Sequence, residues 1–138
     1  MDKGKRPSRA IIHSDGASSG NPGPAGIGAV IEFGSKRVEV SKSIGISTNN
    51  VAEYQAMIEA LEVARREGAR EVSLHLDSEL VVKQLLGEYR VKNEGLKPFF
   101  QKASELLGSF DSYEIRHVRR EENREADSLA KRAVQKAN

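Results

Sequence analysis

The sequence predicts an α/β domain whose sheet mixes antiparallel and parallel strands. Two patterns carry this expectation. Three strand-like runs come first, separated only by turn residues, which favours three adjacent antiparallel strands. A later period-two run is cut off from them by a long stretch with helical periodicity, which favours parallel pairing with the first strand through a helical crossover. The expected order is three strands, helix, strand, helices, strand, helix.

Each element has a local reason. Residues 10–15 read as a buried strand, ended by the turn-rich segment 16–26 with Gly20, Asn21, Pro22, Gly23 and Pro24. Residues 27–33 and 37–46 are strand-like and joined through Gly34 and Ser35, with Val38 and Val40 alternating against Arg37 and Glu39. In residues 51–67, Met57, Ala60, Leu61 and Ala64 lie on one helical face and Gly68 supplies a stop. Residues 71–77 form a strand with Val72, Leu74 and Leu76 on one side and Ser73, His75 and Asp77 on the other. A short helix over 78–86, a connection over 87–95, a helix over 96–107 broken by Gly108, and a strand over 113–118 follow. From Asn123 onward, Ala126, Leu129, Ala130, Ala133 and Val134 make the apolar stripe of a last helix.

Composition bounds the function classes. The 138 residues are 30% charged and 38% hydrophobic, a soluble globular balance with enough chain for one core. No apolar stretch is long enough to span a bilayer or act as a signal peptide, so a cytoplasmic protein with no membrane association is the simplest expectation; a monomer is expected. The absence of cysteine excludes disulfides, thiolate metal sites and cysteine nucleophiles. The net charge of +2 implies no polyanion by itself. Lys3, Lys5, Arg6 and Arg9 nevertheless form a basic arm over residues 1–9, expected to be flexible, ahead of a single domain over 10–138. A second cluster, Arg116, Arg119, Arg120 and Arg124, is diluted by Glu121, Glu122 and Glu125.

The strongest functional signal is a set of scattered acids. Asp15 and Asp77 end predicted strands that lie side by side, Glu53 is in the first turn of its helix, and Asp127 lies within about a turn of the start of the last helix. Ends of this kind converge on one edge of an α/β sheet. Each acid alone has an ordinary explanation: Asp15 as a turn residue before Gly16, Asp77 as a cap before Ser78, Asn50 to Glu53 as a capping box, and Asp127 as a dipole partner. Together they would repel one another strongly unless cations sat between them. Oxygen-only ligands point to Mg2+, with Mn2+ as a substitute, rather than zinc or copper. Two such ions about 4 Å apart fit an in-line displacement at a phosphodiester. No G-x-S-x-G elbow surrounds Ser14, Ser18 or Ser78, and the glycine-rich run from Gly20 to Gly28 lacks the lysine of a phosphate loop.

Four segments in order now acquire a common meaning: residues 15–24 from Asp15 and Gly16 through Asn21 to Pro24, residues 48–54 from Thr48 through Glu53 to Tyr54, Asp77 with Ser78, and residues 122–127 with Leu129 and Ala130. In these the chain resembles type 1 ribonuclease H, in a compact form without the basic protrusion. The resemblance implies a ribonuclease H-like five-stranded mixed sheet in the order 3-2-1-4-5, strand 2 antiparallel, flanked by helices. It also implies hydrolysis of the RNA strand of RNA/DNA hybrids to 5'-phosphate and 3'-hydroxyl products by a two-metal-ion mechanism. Asp15, Glu53, Asp77 and Asp127 match the family's metal-binding catalytic carboxylates. Gly16, Ala17, Ser18, Asn21, Thr48, Asn49, Asn50 and Ser78 match positions that touch substrate, where small neutral groups can read a 2'-hydroxyl without base specificity.

Two family features are missing or displaced. The connection over 87–95 holds only Arg90 and Lys92 in place of the family's basic helix and loop, so hybrid binding is expected to be weaker and more salt-sensitive, with the N-terminal arm as a substitute grip. Counting back from Asp127 aligns His117 with a histidine that other members carry in a flexible loop. His117 reads instead as a strand residue, and His13 and His75 as packing or surface residues on their strands. Rival readings are a same-fold nuclease that also cuts double-stranded RNA and a noncatalytic nucleic-acid-binding module; the latter is expected to have lost an acid, and none is missing.

Overall fold

A computed structural model describes residues 8–137. Most of the basic arm, including Lys3, Lys5 and Arg6, therefore lies outside the described residues. Five strands, β1 (Arg9–Ser18), β2 (Gly23–Phe33), β3 (Lys36–Ser47), β4 (Glu71–Leu76) and β5 (Ser112–His117), form one sheet in the order β3-β2-β1-β4-β5. β1, β2 and β3 are antiparallel neighbours, whereas β1/β4 and β4/β5 run parallel. The helices are α1 (Asn49–Arg66), α2 (Glu79–Leu85), α3 (Lys97–Gly108) and α4 (Arg124–Ala137), the last entered through a 3-10 turn at Arg120–Asn123. Among the described residues no helix is long and apolar enough to cross a membrane.

The main core lies between the sheet and α1, backed by α3. The expected stripe of Met57, Ala60, Leu61 and Ala64 is buried there against Ile12, Ile31, Val72 and Leu74. α4 covers the other face of β1, β2 and β3 and buries Ala126, Leu129, Ala130 and Ala133. Its register is pinned from the edge strand: Ser41 Oγ donates to Leu129 O and Ser43 Oγ to Ala133 O, each at 2.7 Å.

The glycine-rich segment expected as one long turn is mostly strand. β1 and β2 stay paired as far as Ser18 opposite Ala25, and only four residues, 19–22, make the turn, with Gly20 at φ 98°. The reason is contact with helices. A Cβ on Gly16 would lie 2.3 Å from the Ala52 carbonyl carbon in α1, and one on Gly28 would lie 2.2 Å from Ala126 O in α4. Gly28 is the cross-strand partner of Asp15, and Gly16 follows it in sequence. Two missing side chains thus let one helix on each face press its backbone against the sheet beside the same aspartate.

Arg9 belongs to β1 rather than to a free arm. Its guanidinium bonds Glu71 at 3.4 Å and Glu114 at 3.3 Å, across β4 and onto β5.

Candidate active site

The parallel ladder between β1 and β4 ends at His13 opposite His75. The strands then part, and Asp15 and Asp77 follow two residues later on either side of the fork. Asp15 does not end its strand, as the sequence implied, because β1 continues against β2; it ends only the pairing toward β4. α1 supplies Glu53. The backbone contact over Gly16 includes Glu53 N, 2.5 Å from where a Cβ would be, so the helix is held where its fifth residue meets the strands. Carboxylate oxygens of Asp15, Glu53 and Asp77 all lie within 4.8 Å of one another.

The capping-box reading of Glu53 fails. Thr48 is the N-cap, its Oγ1 accepting from Val51 N at 3.2 Å, so the helix begins earlier than expected and Glu53 opens its second turn rather than lying in the first. Ser78 likewise caps α2 by accepting from Val81 N at 3.3 Å, which leaves Asp77 free of that task.

The trio is electrostatically strained without a counter-charge. Burial, with the charges of Glu53 and Asp77 and a hydrogen-bonded contact with Asp127, pushes the Asp15 carboxyl up to about 9. Burial and Asp77 push Glu53 up to about 8, partly offset by a hydrogen bond with Asp15 and by the nearby Arg120 guanidinium. Asp15 is only 7% exposed, so solvent cannot relieve the repulsion. Asp127 stands at the rim, touching Asp15 while its Oδ2 pairs with Lys131 Nζ one helical turn on, at 3.2 Å. An all-oxygen, converging and partly protonated donor set fits a hard divalent cation, which would replace the retained protons.

Three of the expected substrate-contact residues, Ser18, Asn21 and Asn49, are joined by hydrogen bonds. Asn49 Oδ1 accepts from both Ser18 N and Ser18 Oγ at 3.0 Å, and Asn21 Oδ1 accepts from Asn49 N at 2.9 Å. The amide nitrogens of Asn21 and Asn49 are not used in these bonds. Ala17 lies next to Gly16 on β1, and Asn50 is the second residue of α1, inside the helix. The sequence placed Asn123 only within the 122–127 motif and Arg120 only in a basic cluster open to either nucleic-acid contact or a surface role. Asn123 reads as the start of the last helix, and Arg120 sits in a cluster diluted by Glu121, Glu122 and Glu125.

His117 is a strand residue, as expected, and ends β5, with Nε2 3.3 Å from the Asp77 carbonyl oxygen. The bond joins two strand ends, so His117→Ala is expected to lower hybrid turnover less than about tenfold in steady-state kinetics, short of the effect of losing a general acid or base. His13 and His75 stack with ring centroids 4.5 Å apart, His75 Nδ1 lying 3.1 Å from Ile12 O.

A mixed sheet in this order, with acids converging from β1, β4 and α1, defines the ribonuclease H-like class of α/β proteins. A family model described as reverse transcriptase-like matches residues 13–133. The chain is 43% identical over 134 residues to ribonuclease HI of Halobacterium salinarum, covering 96% of this chain and 67% of that relative. It is 39% identical over 132 residues to a bifunctional protein of Mycobacterium tuberculosis, covering 94% of this chain but 36% of the relative. The crystal structure of a compost-derived ribonuclease H1 in complex with an RNA/DNA hybrid matches with a TM-score of 0.86 and 42% identity, over 93% of this chain and 98% of that one. The chain belongs to the ribonuclease H family.

Proposed function

We propose that this protein is an endonuclease that hydrolyses the RNA strand of RNA/DNA hybrids, leaving 5'-phosphate and 3'-hydroxyl ends. The observation that carries the reading is the convergence of Asp15, Glu53 and Asp77 oxygens within 4.8 Å in a partly buried, charge-strained cluster. The likeness to a ribonuclease H1 in complex with a hybrid supports the choice of substrate.

Asp15, Glu53 and Asp77, with Asp127 from the rim, would hold a pair of Mg2+ ions, or Mn2+ in their place. Such ions supply Lewis-acid stabilisation of the phosphoryl oxygens and a lowered pKa for the attacking water. The protein holds the acids on two parallel strands and a helix whose backbone rests on Gly16. It also offers the amide donors of Asn21 and Asn49 to ribose hydroxyls. In the net reaction a water oxygen bonds to phosphorus, the bond from phosphorus to the 3'-oxygen breaks, and that oxygen ends as a hydroxyl.

Matched RNA/DNA, RNA/RNA and DNA/DNA duplexes, incubated with Mg2+ or Mn2+ and analysed for product ends, test the reading. Cleavage confined to the RNA strand of the hybrid, with 5'-phosphate ends, is the expected result. No hybrid cleavage with either metal refutes the proposal, and equal cleavage of RNA/RNA widens the substrate class.

A further inference from the structure

The fork between β1 and β4 is closed by one side chain outside the acidic set. Beyond the His13–His75 pair the ladder stops, and the Ser14 carbonyl oxygen loses its strand partner there. Asn123, the last residue of the 3-10 turn and 1% exposed, fills the gap. Its Nδ2 donates to Ser14 O at 3.0 Å and to Asp77 Oδ2 at 3.2 Å. One amide therefore joins the strand that carries Asp15 to the carboxylate of Asp77.

We infer that Asn123 is a positioning residue: its amide fixes the rotation of the Asp77 carboxylate toward Asp15 and Glu53, and so sets how tightly the acids hold a divalent cation. The inference rests on the metal-dependent reading of the site. Asn suits the task because it is a neutral donor with two N–H groups. A lysine or arginine could bond Asp77 equally well, but its charge would compete with the cation. The placement carries a cost, since Asn123 Oδ1 is buried without a hydrogen-bond partner, and so is Ser14 Oγ on the strand that it bonds. A residue serving only to fill the fork needs no such orphaned acceptor. Asn123 also lies four residues before Asp127, about one helical turn, so the entrance to α4 and the acid that it carries are tied to the same junction.

The test compares wild type with Asn123→Ala and the near-isosteric Asn123→Leu. Mn2+ binding to the metal-free protein is measured by calorimetry, hybrid cleavage by kcat and KM, and stability by thermal unfolding. Mn2+ affinity and kcat are expected to fall about ten- to hundredfold, the range for losing an outer partner of a metal ligand, with KM for the hybrid nearly unchanged. In an Asp77→Asn background, removing Asn123 should leave the residual Mn2+ affinity unchanged. A variant with lowered stability but wild-type Mn2+ affinity and kcat overturns the inference and leaves Asn123 a structural pin. If the variants do not fold, the Asn123 side-chain amide resonances of the wild-type fold decide. They should shift during Mg2+ titration and in Asp77→Ala, and resonances that do neither overturn the inference. Wild type that binds no Mn2+ and cleaves no hybrid brings down the functional reading and this one together, whereas wild type and Asn123 variants that bind equally tightly bring down only this one.

Discussion

Asp15→Asn should abolish hybrid cleavage while making the metal-free protein more stable. The loss of turnover is expected to exceed about a thousandfold, beyond the ten- to hundredfold typical of losing an outer partner of a metal ligand. The gain in stability follows from linkage. In the fold the Asp15 carboxyl is pushed from its ordinary 3.8 up to about 9, and Glu53 from 4.5 up to about 8. Between the ordinary and the raised values the folded state keeps protons that the unfolded chain has released, so the contribution of these groups falls as pH rises from about 4 to about 9. An amide at position 15 removes the buried charge and with it most of that slope. Thermal unfolding in EDTA at pH 6, 7.5 and 9 reads the difference between variant and wild type, which should widen in favour of the variant as pH rises. Mg2+ should narrow it by stabilising the wild type more strongly at alkaline pH, with protons released on binding. An Asp15→Asn protein no more stable than wild type in EDTA at pH 9 would contradict the charge-strain account even if its activity were lost.

Gly16→Ala is expected to damage the site without changing any polar side chain. The added methyl would lie 2.3 Å from the Ala52 carbonyl carbon, 2.5 Å from its oxygen and 2.5 Å from Glu53 N. All three are backbone atoms inside α1, so no side chain can rotate away and the helix itself must lift. Overpacking of this kind costs about 1–3 kcal/mol and sometimes more. The shift is delivered directly to Glu53, and a displacement of about 1 Å in a reacting constellation can cost a hundredfold in rate. The expected outcome is a lowered melting temperature, at least about a hundredfold loss of kcat, and weaker Mn2+ binding. Gly108→Ala is the control. It meets nothing within 4 Å at the end of α3 and should be neutral or slightly stabilising. Gly16→Ala with wild-type kcat would show that the approach of α1 to β1 does not set the position of Glu53.

The strand and helix order was legible because each element carries its own periodicity. Met57, Leu61 and Ala64 mark the buried face of α1, and the alternation from Val72 to Leu76 marks β4, without reference to anything distant. The acids were legible only as a set. Glu53 after Asn50 has the spacing of a capping box, and only the structure shows Thr48 doing the capping and Glu53 turned to the strands. The glycine-rich segment was misread for a related reason. In sequence a glycine that allows a turn and a glycine that allows close approach are the same residue, and within that segment Gly16 and Gly26 are of the second kind. Asn123 was legible only as part of the 122–127 motif, and its bonds were not, because both partners, Ser14 and Asp77, are distant in sequence.

What the amino-acid sequence determined alone was therefore the list of elements and the family likeness, with four acids as candidates, since short-range patterns and motifs in order specify these. The tertiary structure decided which acids converge: Asp15, Glu53 and Asp77 form the tight trio, while Asp127 stands at its rim beside Lys131. It also decided that two glycines admit helix backbones against the sheet beside Asp15, and that one asparagine bridges Ser14 and Asp77. The reason is physical. Repulsion among buried carboxylates, and the clearance between a helix backbone and a strand, depend on separations of a few ångströms between residues remote in the chain, and such distances arise only when the chain has folded.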